Sequence, residues 1–300
     1  MKWFGRTSKT AADAVLSPCG GGLGAVRLER GTDRPRLVEF ALRDIPAVTP
    51  DLLHRMASEH ALRDLPLICL LNAEDYQTVV IDSPQVAEDE FHAALRWKVK
   101  DLIGFHLDDA VLDHLPIPLL QGRAANTWVV AAKTTAVRAL ADQYRQAGLN
   151  LQVIDVRETA QRNLTALLAP DDYAVAMLHV DGQDSLLTFN HGGELLLSRR
   201  IEGRGASQEQ LLDRVGLETQ RSVDYFERQF HTLPLAKLYL APMPEHPRWR
   251  DYLAAQLSIP VEGVDLARFI DLNGQDRLAD PRLQNQVFHL MGAALRGLLS

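Results

Sequence analysis

The sequence predicts a mixed α/β protein, and three observations carry that expectation. Apolar strand-like runs take turns with segments of helical periodicity along the 300 residues. Each half opens on strand-like runs joined by a glycine turn, PCGGGLG at 18–24 and DGQD at 181–184, and closes on helical pattern. The 46% apolar and 24% charged fractions are those of an ordinary globular chain long enough to bury a substantial core.

The elements follow in order. Residues 14–17 and 25–29 read as strands, and Gly20, Gly21, Gly22 and Gly24 in the turn between them admit backbone conformations closed to other residues. Strands 67–71 and 78–82 follow, with a turn at 72–75. Phe91, Leu95, Val99 and Leu102 recur at intervals of three or four, which predicts a helix with one apolar face, stopped by Gly104 at the C′ position. Asp108 and Asp109 turn the chain into strand 110–114, and Pro116 and Pro118 end it. Strand 127–132 is almost wholly apolar, as expected when both faces are covered. Helix 135–146, capped by Gly148, leads to strand 153–156, a β–α–β succession that predicts a parallel pair. Helix 157–168 closes the first half at Pro170.

The second half opens on a meander of strands 174–179, 186–190 and 194–199. Helix 208–230 presents Leu212, Val215, Val223, Phe226 and Phe230 on its inner face. Strand 237–240, helix 249–257 and a last amphipathic helix carrying Val287, Leu290, Met291, Leu295 and Leu298 complete the chain.

Charge and motifs exclude several classes. A net charge of −7 argues against broad binding to nucleic acid or anionic lipid. No run approaches the roughly 20 apolar residues of a membrane span, and no signal-peptide segment follows the basic start. The segment MKWFGRTSK at 1–9 is compatible with a frayed terminus or with a membrane-interface contact. Cys19 and Cys69 are too far apart for a metal motif, and two cysteines suit a reducing compartment. No P-loop is present, and the 20–24 glycines join two strands rather than a strand and a helix, so they are not a dinucleotide fingerprint. No histidine stands at zinc-site spacing; His92, His179 and His231 read as packing or surface residues. Arg199 and Arg200, with Arg204, fit either an anion or acidic-partner contact or a solvated strand end. Trp97, between Arg96 and Lys98, is an interface anchor if exposed and a core residue if not.

Three stretches, RWKVKDLIGFHLDDAVLDHL from Arg96, WVVAAKTTAVRALADQYRQAGLNLQVIDV from Trp128 and ETQRSVDYFERQF from Glu218, resemble the PilM-like proteins of type IV pilus assembly. The likeness covers roughly 79–269. It implies an actin-like ATPase fold of duplicated ribonuclease H-like lobes. The first lobe would be 1–170, with a small inserted subdomain at about 35–120, and the second 171–300, its last helix packing back on the first.

The resemblance also implies an ATP site, and here the sequence departs from the family pattern. Each of two phosphate hairpins should carry an Asp for hydrated Mg²⁺ followed by Gly. The first Asp position falls near Ser17 and the second on His179, with Asp181-Gly182 two residues later. The adenosine-side glycine pair is replaced by Ala241-Pro242-Met243-Pro244, whose prolines remove backbone donors. Only a short link joins 199–201 to the helix at 208, so the subdomain that roofs the nucleotide is reduced or absent.

The resemblance therefore implies a non-enzymatic scaffold with no cofactor, in the cytoplasm at the inner membrane. Its partner would be the cytoplasmic tail of a PilN-like bitopic protein, captured by Arg96, Trp97 and Lys100, and its setting the pilus assembly complex. Gly20, Gly21, Gly22, Gly24, Asp181 and Gly182 would be the remnants of the phosphate loops. The alternatives are an active ATPase that binds ATP and Mg²⁺ around those remnants, or a GspL-like cytoplasmic domain of type II secretion.

Overall fold

The computed structural model describes residues 14–118, 125–168, 173–182 and 184–298; the segment 1–9 and Pro170 lie outside the described residues. Two compact units emerge: the first takes residues up to 25 and 41–157, and the second 26–40 and 158 onward.

The first unit is built on β1 (Ala14–Cys19), β2 (Gly22–Glu29), β3 (Arg36–Asp44), α1 (Pro50–Glu59), β4 (Leu67–Leu70), β5 (Tyr76–Asp82), α2 (Glu88–Val99), β6 (Ala110–Ile117), β7 (Asn126–Lys133), α3 (Thr134–Gln146) and β8 (Leu151–Asp155). Its five-stranded sheet has the order β3-β2-β1-β4-β8, with β4 parallel to both β1 and β8. Leu16, Leu23, Leu53, Met56, Leu67, Cys69 and Tyr144 form the core beneath it, all fully buried. Helix α1 starts where Thr49 accepts the Leu52 amide at 3.3 Å and Pro50 sets the first turn. It buries Leu53, Met56 and Ala57.

A second, three-stranded antiparallel sheet has β7 between β5 and β6, and α2 covers one face through Leu95 and Val99 against Ile81 and Val129. This layer spans residues 76–133 rather than the expected 35–120, because β3 and α1 build into the first sheet and its core instead.

Several expectations need correction here. The β7–α3–β8 succession gives no parallel pair: β7 is paired antiparallel on both sides, and β8 lies beside β4 in the other sheet. The expected turn at 72–75 is present as a short 3-10 turn, Ala73–Asp75, and it carries the chain from β4 to β5 in a different sheet. Gly104 is not a left-handed helix stop, for α2 ends at Val99; its amide instead donates to Gln77 Oε1 at 2.8 Å. Strand β6 runs through Pro116 to Ile117, which an edge strand tolerates because the missing donor is not needed by a neighbour. Gly148, by contrast, takes φ 69° after α3, and the Leu149 amide reaches back to the Tyr144 carbonyl at 2.9 Å, as a glycine-capped helix end should.

The second unit contains α4 (Arg157–Ala166, from Glu158 on), β9 (Ala174–His179), β10 (Asp184–His191), β11 (Glu194–Glu202), α5 (Gln208–Gln229), β12 (Leu235–Leu240), α6 (His246–Gln256), β13 (Val261–Gly263) and α7 (Pro281–Ala294). Its sheet has the order β11-β10-β9-β12-β13, an antiparallel meander continued by two parallel strands. Ser207 and Gln210 close a reciprocal cap at the start of α5. The inner face of α5 stacks Phe226 on Phe189 and Phe230, with ring centroids 4.9 and 4.6 Å apart.

Helix α4, expected in the first lobe, belongs to this unit from Glu158 onward and packs against α7. Gly292 makes that approach possible, since a side-chain carbon there would come within 2.1 Å of the Ala160 carbonyl oxygen. Asn163 Nδ2 donates to the Gly292 carbonyl at 2.9 Å. The far part of the β2–β3 hairpin also sits here: the Leu37 amide donates to Asp271 O and the Asp271 amide to Pro35 O, both at 2.8 Å.

Candidate functional site

The first candidate element is the β1–β2 turn. Gly20 and Gly21 make it alone, with φ of 49° and 82°. The expected seven-residue turn is therefore a two-residue one, and Gly22 and Gly24 are buried residues of β2. Gly22 is there for close approach, because a side-chain carbon would lie 2.5 Å from the Arg43 carbonyl oxygen.

Ser17, at the expected acid position, is fully buried and committed to the interior. Its hydroxyl accepts from the Leu70 amide at 3.0 Å and from Cys69 Sγ at 3.5 Å, and donates to the Pro18 carbonyl at 3.3 Å. The Tyr144 hydroxyl closes the cluster by donating to the Leu16 carbonyl. Burial pushes the Cys69 thiol up to about 11, against the smaller pull of hydrogen bonds with Tyr144 and Ser17, so the cluster stays neutral at physiological pH. Cys19 is likewise held protonated, pushed up to about 12 by burial and by Asp44.

The second element is the β9–β10 turn. Asp181 spends its acceptors locally: Oδ1 takes the Asp184 amide at 3.0 Å, and its carbonyl takes the Ser185 hydroxyl at 3.2 Å. Gly182 follows it in the turn. His179, at the second expected acid position, is 3% exposed and points into packing with α7. Its ring stacks on Phe288 at 5.3 Å and meets His289 edge-on at 4.5 Å, and Nε2 lies 3.1 Å from the Asn285 carbonyl.

The third element is the loop after β12. Ala241, Pro242 and Met243 are all buried, so this stretch is filled as well as donor-poor. Asn285 of α7 stitches it to the second turn, donating to Pro242 O at 2.7 Å and Val180 O at 3.2 Å. Behind it, His289 Nε2 lies 3.1 Å from Gln161 Oε1, while Gln161 Nε2 reaches Met177 O, Leu186 O and Thr188 Oγ1 at 2.8, 3.2 and 3.0 Å. The sequence reading did not single out Asn285, His289 or Gln161. The signal was present for two of them, since Asn285 and His289 stand four apart on α7 and so share a face.

The link from β11 to α5 is residues 203–207, so no subdomain is inserted there. The arginines at that strand end include two, Arg199 and Arg204, that are exposed, as a solvated strand end would have them, and Arg199 and Arg200 are also ion-paired. Arg199 meets Glu218 at 2.9 Å, and Arg200 meets the fully buried Glu158 at 3.0 Å.

Of the expected tail-binding residues, Trp97 and Lys100 stand exposed side by side, and Arg96 is tied locally. Arg96 turns down to the Leu107 carbonyl at 3.2 Å and to Asp108 at 3.4 Å. Trp97 is 76% exposed, and Lys100 Nζ stands 5.6 Å from its ring centroid. Among the described residues, no three His, Cys, Asp or Glu side chains are grouped to hold a metal ion, and no helix is long and apolar enough to cross a membrane.

No protein-family model and no curated protein sequence matches the chain. Solved structures do. A chain of the PilM–PilN type IV pilus biogenesis complex superposes with TM-score 0.74 at 20% identity, over 96% of this chain and 99% of that one. The cytoplasmic domain of EpsL, an inner membrane component of the type II secretion system of Vibrio cholerae, gives 0.54 at 14% identity, over 96% and 94%. A Bacteroides thetaiotaomicron protein of unknown function with an actin-like ATPase fold gives 0.50 at 10% identity, over 91% and 99%. With its two five-stranded sheets, inserted three-stranded layer and unroofed second unit, this chain has the actin-like ATPase fold.

Proposed function

We propose that the chain is a non-enzymatic scaffold of type IV pilus biogenesis: a PilM-like protein, and within that group the MshI component of an MSHA-type pilus system. It works in the cytoplasm at the inner membrane, held there by the cytoplasmic tail of a bitopic PilN- or MshJ-like partner. The observation that carries this reading is the end-to-end match at TM-score 0.74 to a chain of a PilM–PilN complex. The match to cytoplasmic EpsL, at 0.54, favours a GspL-like role as the second reading.

The same reading treats the nucleotide site as decayed. Three observations support it: the Ser17 hydroxyl is consumed by Leu70, Cys69 and Pro18, His179 is packed against Phe288, and the Pro242 loop is buried and tied to Asn285. Residues engaged in this way offer no carboxylate for hydrated Mg²⁺ and few free amides for phosphate.

Calorimetric titration of the chain with synthetic N-terminal tails tests the scaffold reading. Saturable binding of a PilN- or MshJ-type tail is the expected result. Binding of neither tail overturns it.

A further inference from the structure

Asn273-Gly274, in the second unit, is the sole Asn-Gly pair in the 300 residues, and the scaffold role does not use it. Both residues are exposed. They take φ of 52° and 72°, and the Gln275 amide donates to the Leu272 carbonyl across them at 3.0 Å. Two successive left-handed residues closed in this way favour asparagine first and glycine second. The turn therefore selects the pair for its backbone, and the chemistry of the pair comes with it.

This turn is also an anchor for the far part of the β2–β3 hairpin, which belongs to the same unit. Arg36 donates to Asn273 Oδ1 at 2.6 Å and stands 3.7 Å from Asp271, whose Oδ1 takes the Asn273 amide at 3.0 Å. Beside these contacts run the two backbone bonds from Leu37 to Asp271 and from Asp271 to Pro35. An arginine carries donors only, so the side-chain atom facing Arg36 is the oxygen. The Asn273 amide nitrogen Nδ2 and the Gly274 backbone amide donate no hydrogen bond among the described residues.

We infer that Asn273 is a site of spontaneous deamidation and that its isoaspartyl product loosens the hairpin anchor. When the turn opens, the Gly274 nitrogen gives its proton to hydroxide and attacks Asn273 Cγ, with no side chain on Gly274 to hinder it. The new N–Cγ bond pushes the carbonyl pair onto Oδ1, the atom that Arg36 faces, where a guanidinium stabilises the developing charge. The Cγ–Nδ2 bond then breaks, Nδ2 takes a proton from water and leaves as ammonia, and a succinimide remains. Water adds to either ring carbonyl and the ring nitrogen returns as a backbone amide. Opening at Cγ gives Asp, and opening at the backbone carbonyl gives isoaspartate. The net change is one water taken up and one ammonia released. Asp keeps an acceptor for Arg36, but isoaspartate routes the chain through Cβ and Cγ. That extra backbone carbon no longer fits a turn closed from Leu272 to Gln275.

The test is to hold the purified full chain, its fold checked by thermal melts, for weeks at neutral and at mildly alkaline pH. Peptide mapping then locates each amide-to-acid exchange, and enzymatic methylation of isoaspartate reports the product. Exchange at Asn273 should exceed that at Asn72 and Asn150 several-fold, since those are exposed but followed by Ala73 and Leu151, whose side chains crowd the attack. It should quicken with pH, as hydroxide-assisted closure requires. Asn273→Gln, which keeps an acceptor for Arg36, should release no ammonia from this turn. Hydrogen exchange of the Leu37 and Asp271 amides should be faster in the isoaspartyl fraction and unchanged in Asn273→Asp.

Conversion at Asn273 no faster than at Asn72 and Asn150, or independent of pH, overturns the inference. So does an isoaspartyl fraction whose Leu37 and Asp271 amides exchange as in the fresh chain. An Asn273→Asp chain that loosens equally would assign the effect to charge rather than to the inserted carbon, and would overturn it as well.

Discussion

The β1–β2 and β9–β10 turns occupy equivalent places in their sheets, and the positions at which the resemblance expects an acid are filled differently, by Ser17 in one and His179 in the other. In the first, two glycines with positive φ make a bare turn, and Ser17 turns its hydroxyl to the interior. In the second, the turn is an ordinary Asp-Gly reversal, and the change extends through a network. His179, Asn285, His289 and Gln161 bind the strand ends to α7 and α4. The difference teaches that a position can be committed to the interior by one buried side chain or by a network of packed partners. On the proposed reading of a decayed site, only the first kind is open to reversal by a single substitution, and burial opposes even that.

The largest effect should come from restoring the acid in the first turn. Ser17→Asp places a carboxylate in a fully buried position beside Cys69 and Tyr144, where no cation stands among the Ser17 contacts. It should cost about 4 kcal/mol, read as a lowered denaturation midpoint, and should confer no Mg²⁺-ATP stabilisation. A tolerated Ser17→Asp would show that the first turn is open and would break the contrast. Next is Asn285→Ala, which strips donors from the Val180 and Pro242 carbonyls together and should cost about 2 kcal/mol in urea unfolding. A loss no larger than a surface substitution would mean the second network is ornamental.

Smaller effects compare the turns directly. Gly21→Ala meets no neighbour within 4 Å, so its cost comes from φ 82° alone, about 1 kcal/mol. Asp181→Ala loses the Asp184 amide bond, also about 1 kcal/mol. Equal losses, measured by thermal melts, would mark both turns as purely structural. The smallest effect is the ion pair at Glu218. Burial pushes its carboxyl up, but hydrogen bonds and charge from Arg221 and Arg199 outweigh this and hold it below the usual 4.5. Its contribution is therefore present above the unfolded carboxylate pKa and fades as pH falls through the lower folded value. Glu218→Gln should cost about 0.5 kcal/mol at neutral pH and nothing once the pH is below the folded value.

Much of the second unit was legible because its signals are local. Strand β9 follows its apolar run residue for residue, and the inner face of α5 is the one its periodicity predicts. Sheet membership was not legible. The apolar run of β7 is the same whether it sits in a parallel sheet or at the centre of three antiparallel strands, so the β–α–β succession misled. The sequence reading assigned no element between Glu29 and Leu67, although Thr49-Pro50 and the spacing of Leu53, Met56 and Ala57 signal α1. At the site, the missing acids could be read by position. What replaced them could not, because the partners of Ser17 and His179 are 53 and 106 residues away in sequence.

The central claim is that both turns and the Pro242 loop have been given over to the fold. Isothermal titration of the native chain with Mg²⁺-ATP, repeated on Asp181→Ala and paired with thermal melts, tests it most directly. The account predicts no heat of binding and no shift in melting temperature at millimolar nucleotide for either protein. Saturable binding that stabilises the native chain and disappears in Asp181→Ala would contradict it and return the chain to the nucleotide-binding members of its fold.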